Sequence, residues 1–296
     1  MNLEYLESFY MTVKHNSMSK AASELHISQP GLSGQIKSLE NELGVKLLNR
    51  SNKGVELTEE GTVVFNYADT LLSIQGNIKR DLTNLNEDIP KLVIGACKSV
   101  GEYALPCSLF TFKDVHSEVD ISMDVVNSAK VVDSLQDHTI NIGIIQHYKK
   151  NDDLDIKPIV SDELLLVGDK NLSPEKITLD ELQTLPLIIR EEGSGTRDVM
   201  EKALASKGLD IKELNIVYDL NSPEAIKSSI TSGKGFSFLP RIVVANELKN
   251  SSLKVISIED FNVSFSYYLA SRSNYSLAHY EQNFVDFIAS SRRGFC

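Results

Sequence analysis

The chain has 296 residues and a net charge of −11, with 41 Asp and Glu against 30 Lys and Arg, and 42% of it is hydrophobic. That length holds two to three domains, and the composition is that of an ordinary globular protein, which excludes a disordered or fibrous chain. No run of about 18 apolar residues offers a membrane span and no basic leader precedes an apolar run at the start, so a cytoplasmic protein with no membrane partner is expected.

Leu3 to Lys14 carries Leu3, Leu6, Phe9, Tyr10 and Val13 at helical spacing. A second short helix follows, with Ser19 as its expected cap and Ala21, Ala22 and Leu25 on one face. His26 and Ile27 make a turn. Ser28 is then a good N-cap and Pro30 falls in the first helical turn, where its missing N–H costs little. Leu32, Ile36, Leu39 and Leu43 recur at three to four residues, and Gly44 signals the end. The small pair Ala21-Ala22 lets the two helices approach closely. Two helices joined by so short a turn predict a helix-turn-helix whose second helix enters a major groove.

The polar face of that second helix carries Ser28, Gln29, Ser33, Gln35 and Lys37. Gln can bond adenine edges, Ser can contact bases or phosphates, and Lys suits phosphates. Over residues 20–53 five cations face three carboxylates, a net +2 on an otherwise acidic chain. A weakly positive head predicts modest, salt-sensitive DNA binding that needs more than one copy. Val45 to Leu57 reads as a hairpin turning at Ser51-Asn52-Lys53-Gly54, a wing with Arg50 and Lys53 placed for backbone phosphates. Thr58 then caps a long helix with Glu59 and Glu60 in its first turn. Val64, Tyr67, Leu71, Ile74 and Ile78, continuing through Leu82 and Leu85, form a narrow stripe that fits a dimer coiled coil. Residues 86–90, Asn-Glu-Asp-Ile-Pro, end it as a linker.

These residues closely resemble the amino-terminal domain of the LysR-type transcriptional regulators. The similarity continues through Leu47-Leu48-Asn49-Arg50 and Leu57-Thr58-Glu59-Glu60-Gly61 and covers nearly the whole chain. Gly34 and Lys53 depart from it, standing where the family often has Arg. The resemblance implies DNA contacts at Ser28, Gln29, Pro30, Ser33, Gln35, Lys37, Arg50 and Lys53. It implies double-stranded promoter DNA, RNA polymerase and further copies of the chain as partners, the copies as a dimer through residues 59–89 and a homotetramer beyond it.

From Lys91 the pattern is α/β. β-branched runs at 92–95, 119–126 and 140–145 alternate with helical stretches at 102–115 and 129–136. A second series of strands at 164–168, 187–190, 214–218 and 236–239 takes helices near 196–207, 223–232 and 241–248, and 265–270 and 277–289 close the chain. Such alternation predicts parallel sheets flanked by helices, in too large a number for one lobe. The expected organisation is a winged helix-turn-helix at 1–58, a linker helix at 59–89 and an effector domain at 90–296. Its first lobe would span about 90–160 with 266–296 and its second about 161–265. The resemblance implies the two-lobed fold of periplasmic solute-binding proteins.

Lys98-Ser99-Val100-Gly101 and residues 191–197, Glu-Glu-Gly-Ser-Gly-Thr-Arg, each follow a strand and open a helix. Strand, polar glycine-containing turn and helix N-terminus make an anion site, because free N–H groups point outward and hydroxyls supplement them. Lys98, Ser99, Val100, Ser194, Gly195, Thr196 and Arg197 are therefore candidate effector ligands. Asn127, Ser128, Gln146, Asn221 and Ser222 also follow strands and are placed in the same cleft. A small anion is expected rather than a cofactor or metal. The Gly-Ser-Gly-Thr-Arg turn and residues 101–106 resemble the subgroup controlling sulfur assimilation and carbon fixation, which implies a sulfur oxyanion, small carboxylate or phosphate.

Two other readings share parts of this chain. One is a redox-sensing regulator acting through Cys97 and Cys107, although an odd, sparse set of three cysteines points to reduced thiols. The other is a solute-binding protein, against which the helix-turn-helix counts. The six histidines show no metal-ligand spacing and Gly193-Ser194-Gly195 is not a nucleophile elbow, so no enzyme is expected.

Overall fold

The computed structural model describes residues 1–51, 54–86, 89–146, 153–171, 174–273 and 275–295. It divides into two compact units, one of residues 1–86 with 136–139 and the other of residues 87–135 with 140–296. Among the described residues no helix is long and apolar enough to cross a membrane.

In the first unit, α1 (Leu3–His15) starts at Asn2, whose side chain accepts from the Glu4 N–H, and ends at Asn16 in the left-handed conformation. The cap of α2 (Met18–Glu24) is Ser17, which accepts from the Lys20 N–H at 3.3 Å. Ser19, expected in that role, lies two residues too far in, and its hydroxyl donates to Gln29 at 3.1 Å. His26 turns the chain with φ of 54°. Ser28 caps α3 (Gln29–Leu43), which stops at Gly44 with φ of 72°. β1 (Leu48–Ser51) and β2 (Gly54–Leu57) form an antiparallel hairpin, and α4 (Glu59–Asn86) follows.

Leu6, Phe9, Ala21, Ala22, Leu32, Ile36, Leu39, Leu47 and Ala68 form the core of this unit, with Val64, Phe65 and Leu71 against it. Tyr10 stacks on Phe65 at 5.1 Å and donates to Asp69 at 2.5 Å. The first turns of α4 therefore belong to the head's own core. Val63, Tyr67, Ile78 and Leu82 are left exposed along α4. The stripe expected through Val64 and Leu71 thus begins one residue earlier, because those two side chains turn inward.

The second unit runs β3 (Lys91–Cys97), α5 (Lys98–Tyr103), α6 (Leu105–Val115), β4 (Asp120–Val126), α7 (Ser128–Gln136), β5 (Ile142–Ile145) and β6 (Leu154–Asp169). It continues through β7 (Lys176–Ile177), α8 (Leu179–Leu182), β8 (Leu187–Arg190), α9 (Gly195–Ala205), β9 (Ile216–Leu220), α10 (Pro223–Thr231) and β10 (Ser237–Pro240). It closes with α11 (Arg241–Lys249), β11 (Leu253–Val255), β12 (Ser257–Ile258), β13 (Val263–Arg272) and α12 (His279–Ala289).

The expected parallel pairing holds for β3 with β4 and β5, and for β8 with β9. It fails for the two longest strands. β6 and β13 lie antiparallel from Val263 opposite Leu164 to Arg272 opposite Leu154. One mixed sheet ordered β10-β6-β13-β5-β3-β4 results. The polar run from Asp155 to Glu163 hides the first half of β6 in the sequence, since only one face of that stretch is buried. Ile159 and Tyr267 belong to the core of one lobe, Leu164 and Phe261 to that of the other. The chain therefore crosses between lobes twice, on adjacent strands.

Candidate functional site

On α3, Ser28, Gln29, Pro30 and Lys37 are exposed, while Ser33 and Gln35 are half-buried. Ser28 spends its hydroxyl on the Gly31 N–H at 3.2 Å, and Gln29 takes the Ser19 hydroxyl. Gln35 accepts from the buried Ser8 hydroxyl at 2.5 Å, so it fastens α3 to α1 instead of projecting from it. Glu40 turns back to accept from the Leu47 and Leu48 N–H groups at 2.8 and 3.3 Å. The exposed surface of α3 from Gln29 to Asn41 thus carries Lys37 and no carboxylate. A Cβ at Gly34 would meet nothing within 4 Å, so no packing demand explains glycine there. Lys53 lies outside the described residues, as does the side chain of Arg50.

In the second unit the candidate ligands converge from five strand ends. Ser99 at the start of α5 and Thr196 at the start of α9 approach to 3.4 Å between hydroxyl oxygens. Gln146, just past β5, accepts from Thr196 at 2.8 Å and from Ser99 at 3.2 Å. The Gln146 N–H donates to the Ser128 hydroxyl at 3.2 Å. All four side chains are buried, and the Gln146 Nε2 has no hydrogen-bond partner among the described residues. Hydroxyls donate or accept, so whichever way the amide is turned one end stays unpaired.

Further ties join the lobes at the cleft edges. The Lys98 ammonium donates to the Asn221 carbonyl, the Asn127 amide to the Glu192 carbonyl at 3.4 Å, and the Ala129 N–H to the Gly193 carbonyl at 3.1 Å. Gly193 has φ of +80°, and a Cβ there would lie 2.9 Å from that of Ala129, so the close approach requires glycine. Between these ties lies a pocket of about 610 Å³ whose charged lining is Lys98, Lys130, Glu191, Glu192 and Asp219.

Three expected ligands are placed differently. Arg197 donates to Glu201 at 2.7 Å and to the Arg190 carbonyl at 3.5 Å, so its charge is spent along its own helix. Val100 is buried in the lobe core, which leaves only its backbone to offer. Ser222 accepts from the Ala225 N–H at 3.3 Å as the cap of α10. Lys130, Asp219 and the buried Arg190 are not among the expected ligands. Arg190 holds Glu191 by two hydrogen bonds at 2.8 and 3.1 Å. Burial alone would raise the Glu191 pKa, and the adjacent guanidinium more than reverses this, leaving the carboxyl below its ordinary range. The visible signal was Arg-Glu-Glu at a strand end.

A family model described as the bacterial regulatory helix-turn-helix protein, lysR family, matches residues 3–62, and one described as the LysR substrate binding domain matches residues 86–293. The chain belongs to the LysR family of transcriptional regulators. A probable RuBisCO transcriptional regulator of Trieres chinensis is 30% identical over 273 residues, 88% of either chain. Full-length CbnR, solved in complex with its target DNA, matches the fold with a TM-score of 0.73 at 22% identity, covering 97% of this chain and 99% of CbnR. The regulatory domain of CcmR from Synechocystis PCC6803, solved in complex with 2-PG, matches with a TM-score of 0.62 at 23% identity, over 68% of this chain and 96% of that one.

A LysR regulator is a DNA-binding protein with an effector domain, and not an enzyme or a free solute carrier. The redox reading through Cys97 and Cys107 is also set aside. Cys107 is disulfide-bonded, against the expectation of reduced thiols, and Cys97 is not its partner, being free. A spacing of ten residues carries no information on which thiols meet. Burial pushes the Cys97 thiol up to about 11, so around neutral pH it stays protonated and unreactive. Iodoacetamide is expected to leave Cys97 unlabelled in the folded LysR regulator and to modify it in denaturant, which peptide mass spectrometry reads directly. Labelling of Cys97 in the folded chain would restore the redox reading.

Proposed function

We propose that this LysR regulator controls transcription in the cytoplasm in response to a small anion held between the lobes of its second unit. The observation that carries the reading is the Ser99–Gln146–Thr196 cluster. It joins three strand ends, is closed to solvent, and leaves one amide group without a partner among the described residues. The start of α9 adds N–H groups and a helix dipole, and Lys98 and Lys130 stand at the mouth beside Glu191, Glu192 and Asp219. That CcmR was solved with 2-PG supports an oxyanion. A sulfur oxyanion, carboxylate or phosphate all satisfy these donors. Ser99, Gln146, Thr196 and Lys98 form the proposed inner set, with Asn127, Ser128, Ser194, Gly195 and Asn221 around it, and Arg197 acting through Glu201.

On the DNA side, Ser28, Gln29, Pro30, Ser33 and Lys37 are the proposed groove contacts, with Arg50 on phosphate. The heads pair through α4 in this proposal, because Val63, Tyr67, Ile78 and Leu82 leave an apolar stripe uncovered in one copy. Dimers of that dimer give the tetramer. A ligand that binds one lobe arrangement better than another shifts the spacing of the heads, and equal affinity would shift nothing.

Calorimetric titration of the full chain with sulfate, phosphate and acetate tests the site. Thr196→Val is expected to weaken the bound anion about tenfold or more, through loss of a buried hydrogen bond to charge, while Arg197→Ala leaves it within about twofold. The reverse order would return the assignment to Arg197. Gel shifts with promoter duplex over a salt series read the DNA half.

A further inference from the structure

Tyr267 lies on β13 where the strand passes from one lobe to the other. Its register against β6 slips between Tyr267 and Tyr268, which face Val160 and Pro158. Proline has no N–H to give the ladder, which accounts for the irregularity. The ring is fully buried in the same core as Cys97 and Val100, and stands edge-on to Phe265 at 5.2 Å. Its hydroxyl nevertheless makes no hydrogen bond of ordinary geometry among the described residues.

The surroundings of that hydroxyl locate it. Tyr268 pairs with Ile145 on β5, so the next position of that register sets Tyr267 beside Gln146. Burial first, with Cys97 and Asp162, holds the hydroxyl well above its usual pKa, against a smaller lowering by Ser99. It is therefore a neutral donor. The Asp162 carboxylate is already engaged by the N–H groups of Glu163 at 2.8 Å and Ile242 at 3.3 Å. Two buried polar groups in this region, the Gln146 amide and the Tyr267 hydroxyl, thus lack a hydrogen-bond partner of ordinary geometry among the described residues. An unpaired buried hydroxyl destabilises a fold, and phenylalanine would occupy the same space without it.

We propose that the Tyr267 hydroxyl is an effector-binding group that forms the floor of the cleft, donating to an oxyanion that the Gln146 amide also grips. This rests on the anion reading above and sharpens it. The inner part of the effector is then a compact group with two or more acceptor oxygens on one atom. Neutral donors bind it there, and the lysines stand further out. Because Tyr267 belongs to a crossing strand, occupancy of the site bears on the connection between the lobes.

The test compares the full-length wild-type chain, Tyr267→Phe and Ser99→Ala by thermal melting without ligand and by calorimetry with phosphate, sulfate and acetate. Tyr267→Phe is expected to melt about 2–4 °C higher than wild type without ligand, since an unpaired hydroxyl is removed. It is expected to bind the preferred anion about tenfold more weakly, as is Ser99→Ala. The ranking of the three anions in the wild-type chain identifies the oxyanion. A lower melting point for Tyr267→Phe would show a structurally bonded hydroxyl and overturn the proposal. So would unchanged anion affinity in Tyr267→Phe beside a loss in Ser99→Ala, which leaves the anion site standing without its floor. A wild-type chain that binds none of the three overturns both readings together.

Discussion

Gly61→Ala is expected to abolish promoter binding while leaving the second unit folded. A Cβ at Gly61 would lie 2.0 Å from the Leu47 carbonyl oxygen and 2.9 Å from its carbon, a contact no rotamer change relieves. Leu47 cannot retreat. Its N–H donates to Glu40 at 2.8 Å and its carbonyl accepts from the Thr58 N–H at 3.1 Å. Thr58 also holds the Gly61 N–H at 2.8 Å and the Lys46 carbonyl at 2.7 Å, so α4 is seated directly on the backbone between α3 and the wing. Overpacking a tight site costs about 1–3 kcal/mol, and more against backbone. A head of roughly 60 residues has little stability to lose. The control is Gly34→Ala, where the added Cβ meets nothing and the helix gains about 1 kcal/mol. Gel shifts of the two variants should diverge by on the order of a hundredfold. Equal binding would mean that the seat of α4 yields more than its hydrogen bonds allow.

Arg272→Met carries the largest expected stability loss in the second unit. Arg272 is buried and donates to the carbonyls of Leu135 and Ile140, both at 2.8 Å, and to the Asn141 side chain at 2.7 Å. Asn141 passes the interaction on to Glu281 at 2.8 Å, and Tyr275 and the Ala278 N–H also donate to that carboxylate, at 3.1 and 2.9 Å. The guanidinium lies 4.8 Å from the centre of the Tyr275 ring. This network fastens the start of α12 to the ends of β5 and β13. Removing the guanidinium leaves the two buried carbonyls and the Asn141 side-chain oxygen short of donors, at about 1–3 kcal/mol for each buried group left unsatisfied. Urea denaturation should show a midpoint shift of that size. A midpoint within experimental error of wild type would show that water replaces the guanidinium.

The head was legible because its signals are local. The Ser28 cap, Pro30 in the first turn, the stripe Leu32, Ile36, Leu39 and the left-handed Gly44 each depend on a few neighbouring residues, and all appear in the structure. Ser19 was misassigned as a cap because Ser17 offers the same hydroxyl two residues earlier, and only the backbone path decides between them. The long helix was recognised, but the side of it left open depends on what α1 covers. In the cleft, strand followed by polar turn and helix points to Ser99 and Thr196, and a place after a strand points to Gln146; the structure brings these three together. The same rule also selected Arg197, because a local pattern cannot show that Glu201 takes its charge. Gln35 is expected as a groove contact from its place on α3, and its tie to Ser8, 27 residues away, is not visible at that range.

The sequence alone determined the element order, the helix-turn-helix, the family and the strand ends proposed for the ligand site, because caps, periodicity and turn chemistry act over a few residues. Only the tertiary structure decided that β6 and β13 pair antiparallel through both lobes, and that Ser99 and Thr196, 97 residues apart, share Gln146. It alone buried Tyr267 in one core with Cys97 and Val100 and set Gly61 against Leu47. Such contacts are fixed by how the sheet closes, and a side chain's partner is set by the whole fold rather than by its neighbours in the chain.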